Sequence, residues 1–270
     1  MSLRINSNID AMEAHRRLSM TSDKVSKSME RLSSGLRINK AADDAAGLGI
    51  SEKMRAQING LAQAQRNIQD GVSMVQTAEG NLDEVHSILQ RARELAVEYK
   101  NGSLSQTGKD AIQSEINQLA SEVDRIGTSA QFNGISLLDG TAGGSGSVSF
   151  QVGANDSDVL SISFPSLSTK LGTSWIDMQT ATLSDIDAAI DAVTDVRAGF
   201  GATQNRLEHA LSVTAVYQEN LTSAESRIRD VDMAEEMVEL TKNQILQQAG
   251  TAMLAQANQA PQSVLNLLRG

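Results

Sequence analysis

The chain has 270 residues, a formal net charge of −10 and no cysteine, with 3% aromatic residues and only 2 prolines. An acidic balance of this size, with a pI near 4.8, argues against nucleic acid as the main partner. The lack of cysteine removes disulfides, thiolate metal sites and cysteine catalysis together. So few aromatics and prolines suit long helices packed through aliphatic seams better than a deep ligand pocket.

The amino-terminal stretch "MSLRINSNIDAMEAHRRL" has no continuous apolar segment and no small-residue cleavage site, so no secretory signal is expected there. No run of about 18 apolar residues follows anywhere, and no membrane insertion is expected. Ile5, Ile9 and Met12 fall on a face of their own, whereas Val25, Met29, Leu32 and Leu36 alternate by four and three, which predicts a helix. Residues 16–40 carry Arg16, Arg17, Lys24, Lys27, Arg31, Arg37 and Lys40 against Asp23 and Glu30. Such a segment is either a solvated helix face or a docking surface for an acidic partner.

The next stretch, "LSSGLRINKAADDAAGLGISEKM" (32–54), has two glycines and a paired acid but neither GxxxxGK[ST] nor GxGxxG, so it is no phosphate loop. Asp43 and Asp44 are adjacent; on a helix they would diverge by about 100° and could not share an ion. From here a seven-residue repeat takes over: Met54, Leu61, Ile68, Val75, Leu82, Leu89 and Ala96. It predicts one helix over 48–100, roughly 80 Å long. Ile112, Ile116, Leu119, Val123 and Ile126 predict a second helix, and Ile186, Val193, Phe200, Leu207, Thr214, Leu221 and Ile228 a third long one. Between them, residues 131–165 are rich in Gly, Ser and Asn. Period-two runs at Val148-Phe150-Val152 and Leu160-Ile162-Phe164 predict short strands, with "GANDSD" as a hairpin loop. Near the carboxyl end Val231, Val238, Ile245 and Ala252 repeat by seven, widened by Leu246, Met253 and Leu254. Neither end has a partner in its own half of the chain, so the two ends are expected to pair.

Catalytic and metal constellations are missing from this pattern. Asp83-x-x-His86 is half of the carboxylate–histidine pair of di-iron bundles. Its second copy fails because Arg206 stands three residues before His209, and His15 stands alone. No serine carries a GxSxG or SxxK motif. The expectation is a non-enzymatic chain without a cofactor. Its fold would be mainly α: a long antiparallel helical rod or coiled coil with a small β-hairpin region at one end, its termini pairing as an inner helical hairpin. The boundaries would be 1–45 and 230–270 for the inner coiled coil and 46–229 for the rod. Slender chains of this kind bury spare apolar faces on copies of themselves, and asymmetric packing propagates as a helical filament.

Several long motifs then match one family in order. "LSSGLRIN" (32–39), "DDAAGLGISEKM" (43–54), "NIQDGVSMVQTAEG" (67–80), "QRARELAV" (90–97), "QFNG" (131–134), "NLTSAESRIRDVDMAEEM" (220–237) and "MLAQANQAPQSVLNLL" (253–268) resemble bacterial flagellin, in a short form without the outer variable domains. The resemblance implies a filament subunit whose terminal helices line the central channel. Within it, 32–54 would be the connector between layers, with Leu36, Ile38 and Ala45 packing and Arg37, Asp43 and Asp44 offering polar contacts between subunits. It also implies terminal segments disordered until assembly and export through the flagellar type III apparatus without a cleaved signal, to an extracellular filament. Implied partners are other subunits, the cap and hook-associated proteins, and an export chaperone at Val238, Ile245, Leu246 and Leu254. For some members they include Toll-like receptor 5, whose motif falls on Arg91, Leu95 and Glu115. Two other readings stay open: a hook–filament junction protein, which shares the terminal helices, and a soluble helical signalling module, which would form a stable dimer.

Overall fold

The computed structural model describes residues 8–269, with the side chains of 260–269 left aside. Ile5 and the amino-terminal start lie outside the described residues. Six α-helices and four short strands follow in the order α1 (Ile9–Ser34), α2 (Ala45–Tyr99), α3 (Gln106–Ser129), β1 (Gln131–Phe132), β2 (Ile135–Ser136), β3 (Ser147–Gln151), β4 (Val159–Ser163), α4 (Leu167–Leu171), α5 (Leu183–Arg229) and α6 (Met233–Arg269). The seven-residue repeats mark α2 and α5 along nearly their full lengths. The helix starts are chemically marked as well, because the first amides of a helix have no intrahelical acceptor. The Asn8 side chain accepts from the Ala11 N–H at 3.0 Å, Asp44 from Gly47 at 2.9 Å and Asp232 from Ala234 at 2.9 Å. Thr182 and Asp185 cap α5 reciprocally.

The chain divides into two compact units: residues 57–220, and residues 1–56 together with 221–270. In the first, α2 and α5 run antiparallel. Gln65 bonds Gln218 at 2.7 Å, Arg197 pairs with Asp83 at 3.0 Å, and Arg93 with Asp187 at 2.6 Å. Ile68, Val75, Leu82 and Leu89 of α2 and Ile186, Val193, Phe200 and Leu207 of α5 are buried in a common core with Ile112, Ile116, Val123 and Ile126 of α3. Leu61 is buried too, and Met54, Leu221 and Ile228 are half-buried at the ends of their repeats.

The β3–β4 hairpin pairs Val148 with Ile162 and Phe150 with Leu160. Strand alternation sends those four inward and leaves Ser149 and Ser161 outside, their hydroxyls 3.0 Å apart. Phe150 packs over Gly71 of α2, where even a Cβ would sit in ordinary contact with the ring at 3.4 Å. Phe164 and Phe200 stack tilted at 5.4 Å, and Trp175, between α4 and α5 in the chain, is buried in the same core. Asn133 at φ 49° and Gly134 at φ 79° make the two-residue turn joining β1 to β2, the left-handed conformation such turns require.

In the second unit the two ends of the chain pair, α1 antiparallel to α6. Asn8 donates to the Ala257 carbonyl at 2.8 Å, Leu18 lies over Gly250, and Arg31 meets Glu236 at 3.4 Å. The contact stripe on α6 differs from the expected one. Val231, Val238, Ile245 and Ala252 do not form it. Glu236, Leu240, Asn243 and Gly250 do, with Leu254 half-buried further along. On α1 the stripe includes Val25, Ser28 and Leu32 but not Met29, which is exposed. Among the described residues no helix is long and apolar enough to cross a membrane.

Candidate functional site

The segment 35–52 connects α1 to α2, and a backbone clasp holds it. Gly35 ends α1 at φ 72°, in the left-handed cap that a Cβ would disfavour, and its N–H returns to the Arg31 carbonyl at 2.8 Å. The turn aims the next residues at the segment joining α5 to α6. Leu36 and Asp230 form an antiparallel bridge. The Arg37 N–H donates to the Arg229 carbonyl at 2.7 Å and the Val231 N–H to the Gly35 carbonyl at 3.0 Å. The Arg37 guanidinium adds a bond to the Ile228 carbonyl. Residues almost two hundred positions apart are thus joined through their main chains.

Side chains then lock the clasp. Ile38 is buried against α2 where Gly47 leaves room: a Cβ on Gly47 would lie 2.8 Å from Ile38 Cδ1 and 2.5 Å from Asp44 Oδ2. Asp43 and Asp44 are not neighbours on a helix. Asp44 caps α2, and Asp43 sits in the preceding turn, where its carboxylate meets Lys27 Nζ at 2.6 Å and accepts from the Lys40 and Asn39 N–H groups. The Lys27 ammonium and then these amides favour the charged form, so the Asp43 pKa falls to about 2. Lys40 pairs with Glu30 at 2.7 Å, which raises its pKa. Arg229, largely buried, reaches Glu52 at 2.7 Å and lowers that carboxyl's pKa.

The expected connector residues therefore divide. Ile38 packs inside the chain, and Asp43 is engaged there by Lys27, Lys40 and Asn39. Leu36 is half-buried in the bridge, while Arg37, Asp44 and Ala45 keep exposed surface. Glu52 and Arg229 lie within the quoted motifs and Lys27 in the basic run, but nothing in their spacing pairs Lys27 with Asp43 or Arg229 with Glu52, because the clasp rests on main-chain bonds that leave no side-chain period. A shallow groove of about 670 Å³ lies beside the clasp, lined by Lys24, Lys27, Arg31, Arg37, Glu235 and Glu239 among others.

Beyond the clasp, the paired ends keep much apolar surface uncovered. Val238 is 70% exposed and Ile245 60%, and Leu246, Met237, Met253, Met12 and Met20 are exposed with them. A soluble monomer seldom leaves that many large apolar side chains on one helix pair. The innate-receptor positions also divide. Arg91 and Glu115 are exposed and bond each other across α2 and α3 at 3.1 Å, but Leu95 is 2% exposed and belongs to the core. It continues the buried stripe of Ala92 and Ala96 within that core, so it offers no receptor surface. Asp83 pairs with Arg197, and His86 Nε2 meets Gln90 at 2.9 Å; the two share no ligand set.

Long aliphatic seams, paired chain ends and an uncovered apolar surface define a class, the helical structural subunit that packs on copies of itself. The comparisons are specific within it. The bacterial flagellin N-terminal helical region matches residues 5–143 and the bacterial flagellin C-terminal helical region residues 183–268. A flagellin of Halalkalibacterium halodurans is 52% identical, covering 98% of this chain and 99% of its own length. A flagellin of Bacillus subtilis is 47% identical over 99% of this chain and its own full length. The crystal structure of Bacillus cereus flagellin superposes with a TM-score of 0.50 at 34% identity, over 55% of this chain and 88% of that one. A putative flagellar hook-associated protein from Vibrio parahaemolyticus, at 13% identity and TM-score 0.58, shares the fold alone, over 70% of this chain and all of that one. The chain belongs to the bacterial flagellin family, and it is a structural subunit of the flagellar filament.

Proposed function

We propose that the paired ends, residues 1–45 and 230–270, form the inner coiled coil of the filament and that 46–229 form the layer outside it, with the 35–52 clasp as the joint at which subunits pack. The observation that carries this reading is the apolar surface of α6. Val238 and Ile245 repeat by seven, as an interface stripe should, yet α1 covers neither. Leu246 and Met253 extend that surface. Neighbouring subunits would cover it in the filament, and an export chaperone would cover it before assembly. Cap and hook-associated proteins would meet the same stripe at the two ends of the polymer. Arg91 with Glu115 is the exposed pair available to Toll-like receptor 5. The test is Val238→Asp with Ile245→Asp. A charge at each position should abolish polymerisation while leaving the 57–220 unit folded by circular dichroism. Filaments forming at the wild-type concentration would reject the reading.

A further inference from the structure

The sulfur chemistry of the chain is unevenly placed. There is no cysteine, so the oxidisable sulfurs are its 10 methionines. In the 57–220 unit, Met74 and Met178 are each 2% exposed. Six others, Met12, Met20, Met29, Met233, Met237 and Met253, are exposed, and all six lie on α1 or α6. Met20, 58% exposed, and Met253, 65% exposed, come from different helices and line the same groove of about 580 Å³, with Leu18, Leu246 and Gly250.

We propose that Met20 and Met253 are a reversible oxidation site through which peroxide controls assembly. The proposal rests on the self-assembly reading of this surface. Hydrogen peroxide is the two-electron oxidant. Its O–O bond breaks, an S–O bond forms on the thioether, the sulfide becomes a sulfoxide and the second oxygen leaves as water. A thioether packs against aliphatic side chains at no polar cost. A sulfoxide carries a strong acceptor oxygen, and covering it with an apolar neighbour leaves that oxygen without a donor. With one sulfoxide on each wall, the groove loses the character that a second copy of the chain would bury. Access sets the order of reaction: the exposed thioethers oxidise first, and Met74 and Met178 stay reduced inside the core.

The test uses the full chain, treated with hydrogen peroxide and mapped by peptide mass spectrometry. The map should show a gain of about 16 Da at Met20 and Met253 and none at Met74 or Met178. The subunit concentration needed to form filaments should then rise roughly tenfold or more, and methionine sulfoxide reductase should restore it. The M20L/M253L chain, given the same treatment, should keep most of its untreated threshold. Oxidation at both sites with an unchanged threshold would overturn the proposal, as would an M20L/M253L chain inhibited as strongly as the wild type. Should the double variant fail to assemble untreated, the single variants M20L and M253L decide: each should raise its threshold less on treatment than the wild type does, and inhibition of both as strong as the wild type's overturns the proposal. An untreated wild-type chain that forms no filaments would instead overturn the self-assembly reading beneath it.

Discussion

Replacing Asp43 by Asn separates the charge of the clasp from its shape, because an amide oxygen still accepts from the Lys40 and Asn39 N–H groups while the Lys27 pair loses its attraction. Aspartate pKa falls from 3.8 to about 2 at this site, which corresponds to at most about 2.5 kcal/mol favouring the folded clasp. Lys27 is about half exposed, and solvent screening brings the realistic figure to about 1 kcal/mol. The sign follows from the depressed pKa: the contribution is complete above the unfolded value near 4 and is lost as pH falls from there towards 2. Where the clasp folds together with assembly, its stability enters the subunit concentration at which filaments form, so D43N should raise that threshold about fivefold at pH 7. Light scattering on a concentration series reads it. Hydrogen exchange at the Arg37 and Ile38 amides reads the pH dependence, with the difference between wild type and D43N shrinking between about pH 4 and pH 2. Equal thresholds at pH 7, or a difference unchanged at low pH, would refute the assignment of this ion pair to the clasp.

Two further predictions concern packing. Leu95→Ala should cost roughly 2–5 kcal/mol in urea denaturation of the 57–220 unit, since it empties a core position, and any loss of receptor activation should follow the loss of fold. Glu115→Ala should stay within about 0.5 kcal/mol of wild type, because it breaks an exposed pair; equal costs for the two would contradict the burial of Leu95. Gly80 has open space around its missing Cβ, so Gly80→Ala should stabilise α2 by about 0.5–1 kcal/mol. Gly47→Ala should forfeit that gain, because the new Cβ meets Ile38 and displaces Asp44 from its capping bond. A stabilised G47A chain would show that the joint is looser than its geometry.

Much of this fold is legible in sequence because core burial repeats with the helix. Leu61, Ile68, Val75, Leu82 and Leu89 are buried as their spacing predicts, and so are Ile186, Val193, Phe200 and Leu207. The hairpin was readable for the same reason at period two. The α6 stripe shows the limit of that logic. Periodicity finds residues that need burial, but it does not say in which chain their partner lies. Val238 and Ile245 repeat correctly yet face away from α1, which meets Glu236, Asn243 and Gly250 instead. Leu95 shows another limit, since a motif places a residue along the chain and not on a face. The clasp between 35–38 and 228–231 was illegible because main-chain hydrogen bonds carry no side-chain signature.

The most direct test of the account compares self-assembly of the full chain with that of a chain lacking residues 1–40 and 232–270, by light scattering and negative-stain microscopy. The full chain should form long uniform filaments while the truncated chain stays monomeric with a folded 57–220 unit. A truncated chain that still polymerises, or a full chain that stops at a discrete dimer under seeded, concentrated conditions, would contradict the role given to the paired ends.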